Sequence, residues 1–175
     1  MMGMAMNVNY HNPIIAFMKN WIQHYNHDRY WRYRQFVLSP RGGKISLIIK
    51  LVKLMYIKRC DAFNNASLGT DLGRGALFKS VPKFPHGING IIISPDAEIG
   101  KNCIIFHQVT IGNDYRDTKN VPVIGDNVVI YPGAKITGKI KIGNNVKIGA
   151  NAVVVDDIPD NATVVAPKAR MIIKI

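Results

Sequence analysis

A six-residue repeat in the C-terminal part of the chain is the feature that most limits its possible folds. From Ile93 onward an aliphatic residue returns every six positions, in two runs separated by one polar segment. The ten positions are Ile93, Ile99, Ile105, Ile111, Ile124, Ile130, Ile136, Ile142, Ile148 and Val154. A period of six is neither the 3.6 of a helix nor the alternation of a hairpin. It predicts a mainly β fold, a parallel β-helix in which three short sides make one coil and aliphatic residues stack between coils.

Small or aliphatic residues form a second series, four positions after eight members of the first. They are Ala97, Cys103, Val109, Val128, Ala134, Ile140, Val146 and Ala152. We expect them inside the corners, where there is little room. Ile111 and Ile124 are thirteen residues apart where twelve would keep the phase. The polar, turn-rich segment between them predicts a loop at 113–122 that leaves the coil, either for function or as a tolerated insertion.

The N-terminal third of the chain has a different composition. Residues 1–62 hold ten basic and two acidic residues, whereas residues 63–175 hold thirteen and nine. Helices are expected at 12–38 and at 43–60, the second with its apolar residues on one face. We therefore predict a basic helical region at 1–62 and a β-helix domain at 63–175. We expect the aromatic residues of 12–38 to pack on the second helix or on a neighbouring subunit, with nucleic-acid stacking as the alternative.

Charge and cysteine content narrow the function classes. The net charge of +12 suits an anionic partner, which could be a nucleic acid, a membrane surface or a phosphorylated small molecule. The two cysteines cannot form a disulfide framework and lack zinc-type spacing, so a reduced, cytoplasmic compartment is expected. The N-terminus also lacks the pattern of a secretory signal. Hydrophobic residues make up 47% of the chain and exclude global disorder.

Several short motifs extend the repeat. They are Gly90–Ile93, Gln108–Gly112, Pro122–Gly125, Pro132–Ile136, Lys147–Ala150 and Val164–Arg170. In these motifs the chain resembles the hexapeptide-repeat acyltransferases, which fold as left-handed β-helices. The span from Gly90 to Arg170 is similar to serine acetyltransferase and its relatives in polysaccharide gene clusters. The left-handed sense of the predicted β-helix comes from this resemblance alone.

The resemblance implies a homotrimeric, acetyl-CoA-dependent O-acetyltransferase without a metal ion. Acetyl-CoA would lie in a groove between neighbouring β-helices, and a histidine would deprotonate the hydroxyl of a small-molecule acceptor. The chemistry is coherent, because a hydroxyl is a poor nucleophile at neutral pH and histidine titrates in the useful range. Holding both substrates in one cleft adds proximity.

The resemblance also assigns roles to residues. His86 stands where the family has its base, although His86 and Gly90 are one residue further apart than in the usual His-x-x-Gly. His107 is the second candidate for the base. Asp71, fifteen residues before His86, is the candidate for orienting it, and an alternative alignment places Asn65 there. The implied acetyl-CoA residues are Gly112, Pro132, Ala150, Lys147 and Lys168, the two lysines as phosphate partners or merely solvated side chains.

Three departures concern the acceptor. Pro85 replaces the aspartate that the family has before the base, and in the loop Asn120 and Val121 stand where the family has an arginine and a histidine before Pro122. Arg116 remains as the loop arginine that could meet a carboxylate. Serine is a zwitterion and needs a counter-charge for both its ammonium and its carboxylate, and these departures remove polar partners that could supply one. Two acceptors therefore stay open: serine, and a sugar hydroxyl in capsule or exopolysaccharide synthesis.

The short N-terminal region favours a single trimer over a larger assembly. The alternatives to an enzyme are a non-catalytic β-helix scaffold and an anionic-surface binding module. No nucleic-acid partner is expected, but the basic helices could contact a membrane surface.

Overall fold

The computed structural model describes residues 13–40, 43–168 and 170–173. The rest of the two predicted regions, residues 1–12, 41–42, 169 and 174–175, lies outside the described residues. The helices are α1 Pro13–Ile22, α2 His27–Leu38 and α3 Lys44–Phe63. The strands are β1 Ser67–Leu68, β2 Leu77–Phe78, β3 Ile92–Ile93, β4 Glu98–Ile99, β5 Ile104–Ile105, β6 Thr110–Gly112, β7 Val123–Ile124, β8 Val129–Ile130, β9 Lys135–Thr137, β10 Lys141–Ile142, β11 Lys147–Ile148, β12 Val153–Val154 and β13 Thr163–Val164.

The strands form three parallel sheets along a solenoid. Sheet A has the order β1-β3-β6-β9-β12, sheet B β2-β4-β7-β10 and sheet C β5-β8-β11-β13. Within each coil the chain runs from sheet B to sheet C to sheet A. The repeat residues stack as predicted, since Ile93 pairs with Ile111, and Ile111 with Ile136. The predicted fold class, a parallel β-helix with a short α-helical N-terminal region, is confirmed.

The core consists of the two residue series found in the sequence. Every member of both series is buried. The residues before β3 form the irregular first coil, in which Leu68 stacks on Ile93 and Phe78 on Ile99. No helix in the described ranges is long and apolar enough to cross a bilayer.

The segment at 113–122 takes a different place in the repeat from the one expected. Ile124 pairs with Ile99 in sheet B, the sheet that the chain enters directly after leaving sheet A at Ile111. Elsewhere in the solenoid, six residues carry the chain from a repeat position in one sheet to the next. From Ile111 in sheet A to Ile124 in sheet B the chain uses thirteen residues for a single such step, and the seven additional residues form the loop. All five residues from 115 to 119 are exposed, as expected for a loop that leaves the coil.

One corner of the solenoid, between sheets B and C, repeats almost without change. We call it the asparagine corner, because Asn102, Asn127, Asn145 and Asn161 all lie there with φ between 55° and 62°. Their side-chain amides bond from coil to coil at 3.3, 3.1 and 3.0 Å. Asparagine tolerates this left-handed backbone better than most residues, and the ladder satisfies its polar side chain.

The helices cover the first coil. The guanidinium of Arg34, on α2, donates to Thr70 Oγ1 at 3.0 Å and to the carbonyl of Ala76, and Trp31 meets Phe78 edge-on at 4.9 Å. Tyr30 donates to Asp61 Oδ1 on α3 at 2.8 Å. Burial raises the pKa of Asp61 to about 6, so this junction keeps a proton to a higher pH than a free aspartate.

The predicted helix at 12–38 is two helices, because the chain breaks at residues 23–26. His24 has a φ of 47°, and Asn26 caps α2 by accepting from the Arg29 amide at 2.9 Å. Tyr30 and Tyr33 contact Asp61 and Tyr56 on α3, as expected of these aromatics, whereas the buried Trp31 packs on Phe78 and Phe84 of the first coil instead. Trp21 is the exception, with 71% of its surface exposed.

Candidate active site

The two histidines singled out in the sequence lie side by side at the corner between sheets C and A. We call this the histidine corner. His86 precedes β3 and His107 precedes β6, so they occupy the same corner of successive coils. Their Nδ1 atoms are 2.8 Å apart and their ring centroids 4.9 Å apart. The solenoid geometry thus joins residues that are twenty-one positions apart in the chain.

A hydrogen bond between two Nδ1 atoms assigns different roles to the two rings. The ring that donates from Nδ1 has its lone pair on Nε2, whereas the ring that accepts carries its proton on Nε2. Neither Nε2 has a hydrogen-bond partner among the described residues. The pair therefore presents one basic nitrogen and one N–H donor to a bound molecule.

Aromatic side chains support the pair. The ring of Phe106 meets His86 edge-on at 5.3 Å and stacks on Tyr131, one coil further, at 5.5 Å. Sequence reasoning did not identify Tyr131 as part of the site. Counting positions in the coil would have found it, because Tyr131 directly follows β8 as Phe106 directly follows β5.

The backbone explains the additional residue between His86 and Gly90. Ile88, in the middle of that turn, is completely buried, so the longer turn adds an apolar side chain to the core. Gly90 then lies against Gln108, where a Cβ would be 3.1 Å from the Gln108 side chain. Gln108 itself has a φ of 59°, and its carbonyl accepts from Lys135 Nζ at 2.7 Å. These contacts fix the backbone next to His107.

Asp71 does not meet either histidine in the described residues. Its carboxylate accepts from Lys58 Nζ on α3 at 2.9 Å, in an exposed ion pair. Asn65, the alternative, is exposed at the end of α3 and also makes no hydrogen bond to His86 or His107. The partner of His86 is instead His107.

The residues expected to contact acetyl-CoA fall in two groups. Pro132 and Ala150 lie at the histidine corner of the two following coils, where the carbonyl of Pro132 accepts from the Asn151 amide at 2.9 Å. Gly112 lies at the opposite end of sheet A, at the base of the loop that carries Arg116. Lys147, Lys168 and Arg116 are all exposed.

Comparison with known proteins agrees with this architecture. Residues 122–156 match the family model described as bacterial transferase hexapeptide, six repeats. A curated relative, serine acetyltransferase of Helicobacter pylori, is 41% identical over 107 residues, which are 61% of this chain and 58% of the relative. The chain thus spans little more than half the length of that relative.

Solved structures show the same relationship. Serine acetyltransferase of Neisseria gonorrhoeae in complex with serine matches with a TM-score of 0.56 at 25% identity, over 89% of this chain and 71% of the other. A serine acetyltransferase in complex with CoA matches with a TM-score of 0.58 at 25% identity, over 77% of this chain and 50% of the other. Repeat, relatives and solenoid together match this chain to the hexapeptide-repeat acyltransferases close to serine acetyltransferase.

Proposed function

We propose that this protein is an acetyl-CoA-dependent O-acetyltransferase in which His86 is the general base. The observation that carries the proposal is the Nδ1–Nδ1 contact of 2.8 Å between His86 and His107. Two neutral imidazoles at this distance must share one proton, which leaves a free basic nitrogen on the ring that donates. The similarity to a serine acetyltransferase solved with CoA supports acetyl-CoA as the donor.

In the proposed reaction, His86 Nε2 takes the proton of the acceptor hydroxyl as its oxygen attacks the thioester carbonyl. The C–S bond then breaks, the acetyl group stays on the oxygen, and the imidazolium returns the proton to the CoA thiolate. A base poised at the reacting oxygen contributes about 10²–10⁴-fold to such a step. His86 is the better candidate because it is the more exposed of the two rings.

His107 takes the orienting role in this proposal. By accepting the Nδ1 proton of His86, it fixes the tautomer and stabilises the imidazolium that forms. A neutral imidazole does this less strongly than a carboxylate, because it supplies a hydrogen bond without an opposite charge. We prefer His107 to Asp71 for this role, since Asp71 is paired with Lys58.

The donor would lie along sheet A, between the histidine corner and the loop. Gly112, Pro132 and Ala150 would border it, and its phosphates would extend past the histidine corner toward Lys147 on sheet C and toward Lys168. The exposed position of His86 on a single chain supports a homotrimer, in which a neighbouring subunit closes the cleft. Cys60 and Cys103 are both free and buried, in agreement with a reducing cytoplasm.

Serine is the first acceptor to consider, because the relatives that match are serine acetyltransferases. Arg116 would then meet the serine carboxylate from the loop. A sugar hydroxyl is the second, favoured by Pro85 and Val121, which stand where the resemblance leads one to expect an aspartate and a histidine as polar partners for serine. A sugar would use the aromatic wall of Phe106 and Tyr131 rather than paired charges.

The test is CoA release from acetyl-CoA, followed as free thiol, with L-serine and with a panel of sugars and sugar nucleotides. Release that depends on serine supports the serine acetyltransferase function, and Arg116→Gln should then raise the KM for serine. Release with a sugar alone assigns the acceptor to the second class. No release with any acceptor, together with no binding of CoA, would contradict the proposal and favour a scaffold.

A further inference from the structure

Helix α3 turns its apolar side outward. Ile48 and Val52 are each 62% exposed and Met55 is 72% exposed, and all three lie on one face at helical spacing. Ile45, Leu47 and Leu51 widen this face, and Lys44 and Arg59 stand at its two ends. We call it the α3 apolar face. An exposed aliphatic strip of this length is unusual on a monomeric soluble surface and indicates a partner.

The lysines of α3 confirm that this orientation is built into the helix. Lys50 is only 9% exposed, and its ammonium donates to the carbonyl of Ser39 at the end of α2. Lys53 lies over the ring of Tyr33, with its Nζ 4.0 Å from the ring centroid. Two cations that would normally face water are thus used to hold α3 on α2, and the aliphatic residues are left to face out.

Helix α1 extends the same kind of surface. Phe17, Met18 and Trp21 are exposed on α1. A groove of about 300 Å³ separates α1 from α2 and α3, and Phe17, Trp21, Arg29, Tyr56 and Arg59 are among the residues that line it. Arg59 follows Met55 by four positions, so the groove adjoins the α3 apolar face. Two guanidinium groups beside exposed aromatic rings suit a phosphate head group attached to an apolar chain.

We propose that α1 and the α3 apolar face bind the surface of an anionic lipid bilayer. The helices would lie along the interface, with the apolar residues in the boundary region and Arg29, Arg59 and Lys44 at the level of the head groups. Exposed tryptophan, as at Trp21, is the side chain that favours this depth.

Charge favours a bilayer over a second copy of the same surface. The helical segments 13–40 and 43–63 contain two acidic residues, Asp28 and Asp61, and Asp61 is buried. A symmetric contact between two such surfaces would bring arginines and lysines together with almost no counter-charge. Anionic lipid supplies that charge, and its attraction for basic residues falls as salt rises.

The experiment is sedimentation of the full chain with phosphatidylcholine vesicles that do or do not contain phosphatidylserine. We expect binding to the anionic vesicles to exceed binding to the neutral ones by about tenfold, and to weaken with salt. Ile48→Glu/Val52→Glu should lower binding by about tenfold or more, because each carboxylate opposes both burial and the lipid charge. Arg29→Gln/Arg59→Gln should remove the preference for phosphatidylserine.

The matched control is Val153→Glu/Val165→Glu, which adds the same two charges at exposed aliphatic residues of the last coil. This variant should bind vesicles as the parent protein does. Circular dichroism of each variant shows whether it is folded, and the assay needs no catalysis, so it stands apart from the acetyltransferase proposal. Absence of vesicle binding by the parent protein, or equal binding by Ile48→Glu/Val52→Glu, would overturn the inference. If the parent protein does not bind vesicles and Ile48→Glu/Val52→Glu forms a smaller oligomer than the parent on size-exclusion chromatography, the α3 apolar face is a protein interface and the inference is wrong.

Discussion

Two corners of the same solenoid are built from the same kind of turn and serve different ends. At the asparagine corner, each coil places Asn at the left-handed position and bonds its amide to the next coil. At the histidine corner, the left-handed positions hold Gln108, Gly133 and Asn151, with no repeated side chain. The ring pair His86–His107 stands beside them. Where the repeat is uniform the polar groups satisfy one another, and where it varies they remain available to a substrate.

The largest expected effect separates the corners by function. His86→Ala should lower kcat about 10²–10⁴-fold, because it removes the proposed base, and should leave the unfolding free energy nearly unchanged because His86 is exposed. Steady-state thiol release and thermal unfolding of the same preparation measure both quantities. If activity survives in His86→Ala but is lost in His107→Ala, the base is His107.

Adding a methyl group at Gly125, next to the asparagine corner, should lower the stability of the fold. In Gly125→Ala the new Cβ would be 2.6 Å from the carbonyl oxygen of Gly143, and backbone cannot move aside cheaply. We expect a loss of about 1–3 kcal/mol in the free energy of unfolding, measured in urea. Gly112→Ala is the control, since its Cβ would find its nearest neighbour at 3.9 Å. An equal loss in both variants would refute the steric argument.

Removing the side-chain hydrogen bonds of the asparagine corner should lower the free energy of unfolding by less than Gly125→Ala does. Asn127→Ala removes both side-chain bonds and places alanine at a φ of 58°, so we expect a loss of about 1–2 kcal/mol in the free energy of unfolding. Asn127→Gly keeps the backbone conformation and loses only the bonds, so it should cost less. Activity per folded molecule should be unaffected in both, and a fall in kcat would show that the two corners are coupled.

The smallest effect concerns the orienting residue. His107→Gln keeps a polar group near His86 but loses the imidazole acceptor, and we expect kcat to fall about tenfold, the value of one hydrogen bond of about 1.4 kcal/mol. The pH profile of kcat should change as well, which a purely structural role would not cause. Asp71→Asn should leave kcat within about twofold of the parent value. A larger loss in Asp71→Asn than in His107→Gln would restore Asp71 as the orienting residue.

Periodicity made the core predictable. Ile93, Ile111 and Ile136 stack because each coil must bury its aliphatic side on the next. The six-residue spacing is enough to predict this stacking. The break at 113–122 was predicted too, but its place in the coil was not. Spacing counts residues and does not show that the chain passes directly from sheet A to sheet B at that point.

The site was only partly predictable, for a related reason. His86 and His107 were both candidates, yet their contact depends on which corner each coil places them at, and the irregular first coil hides that register. Tyr131 looked like any turn residue until the coils were aligned. The outward face of α3 could not be seen either, because hydrophobic periodicity gives a helix an apolar side without saying which way it faces.

The helices pack on one end of the solenoid only, and the two ends should therefore differ in local stability. Arg34 and Trp31 cover the first coil, whereas β12 and β13 end their sheets without a helix packed on them in the described residues. Coils that stack in one dimension open from their ends, so amide hydrogen exchange should be slow from β5 to β9 and fast at β13. The histidine pair lies near the end that the helices cover, and the hydrogen-bonded amides of Gly87 and Gln108 beside it should stay protected while the last coil exchanges.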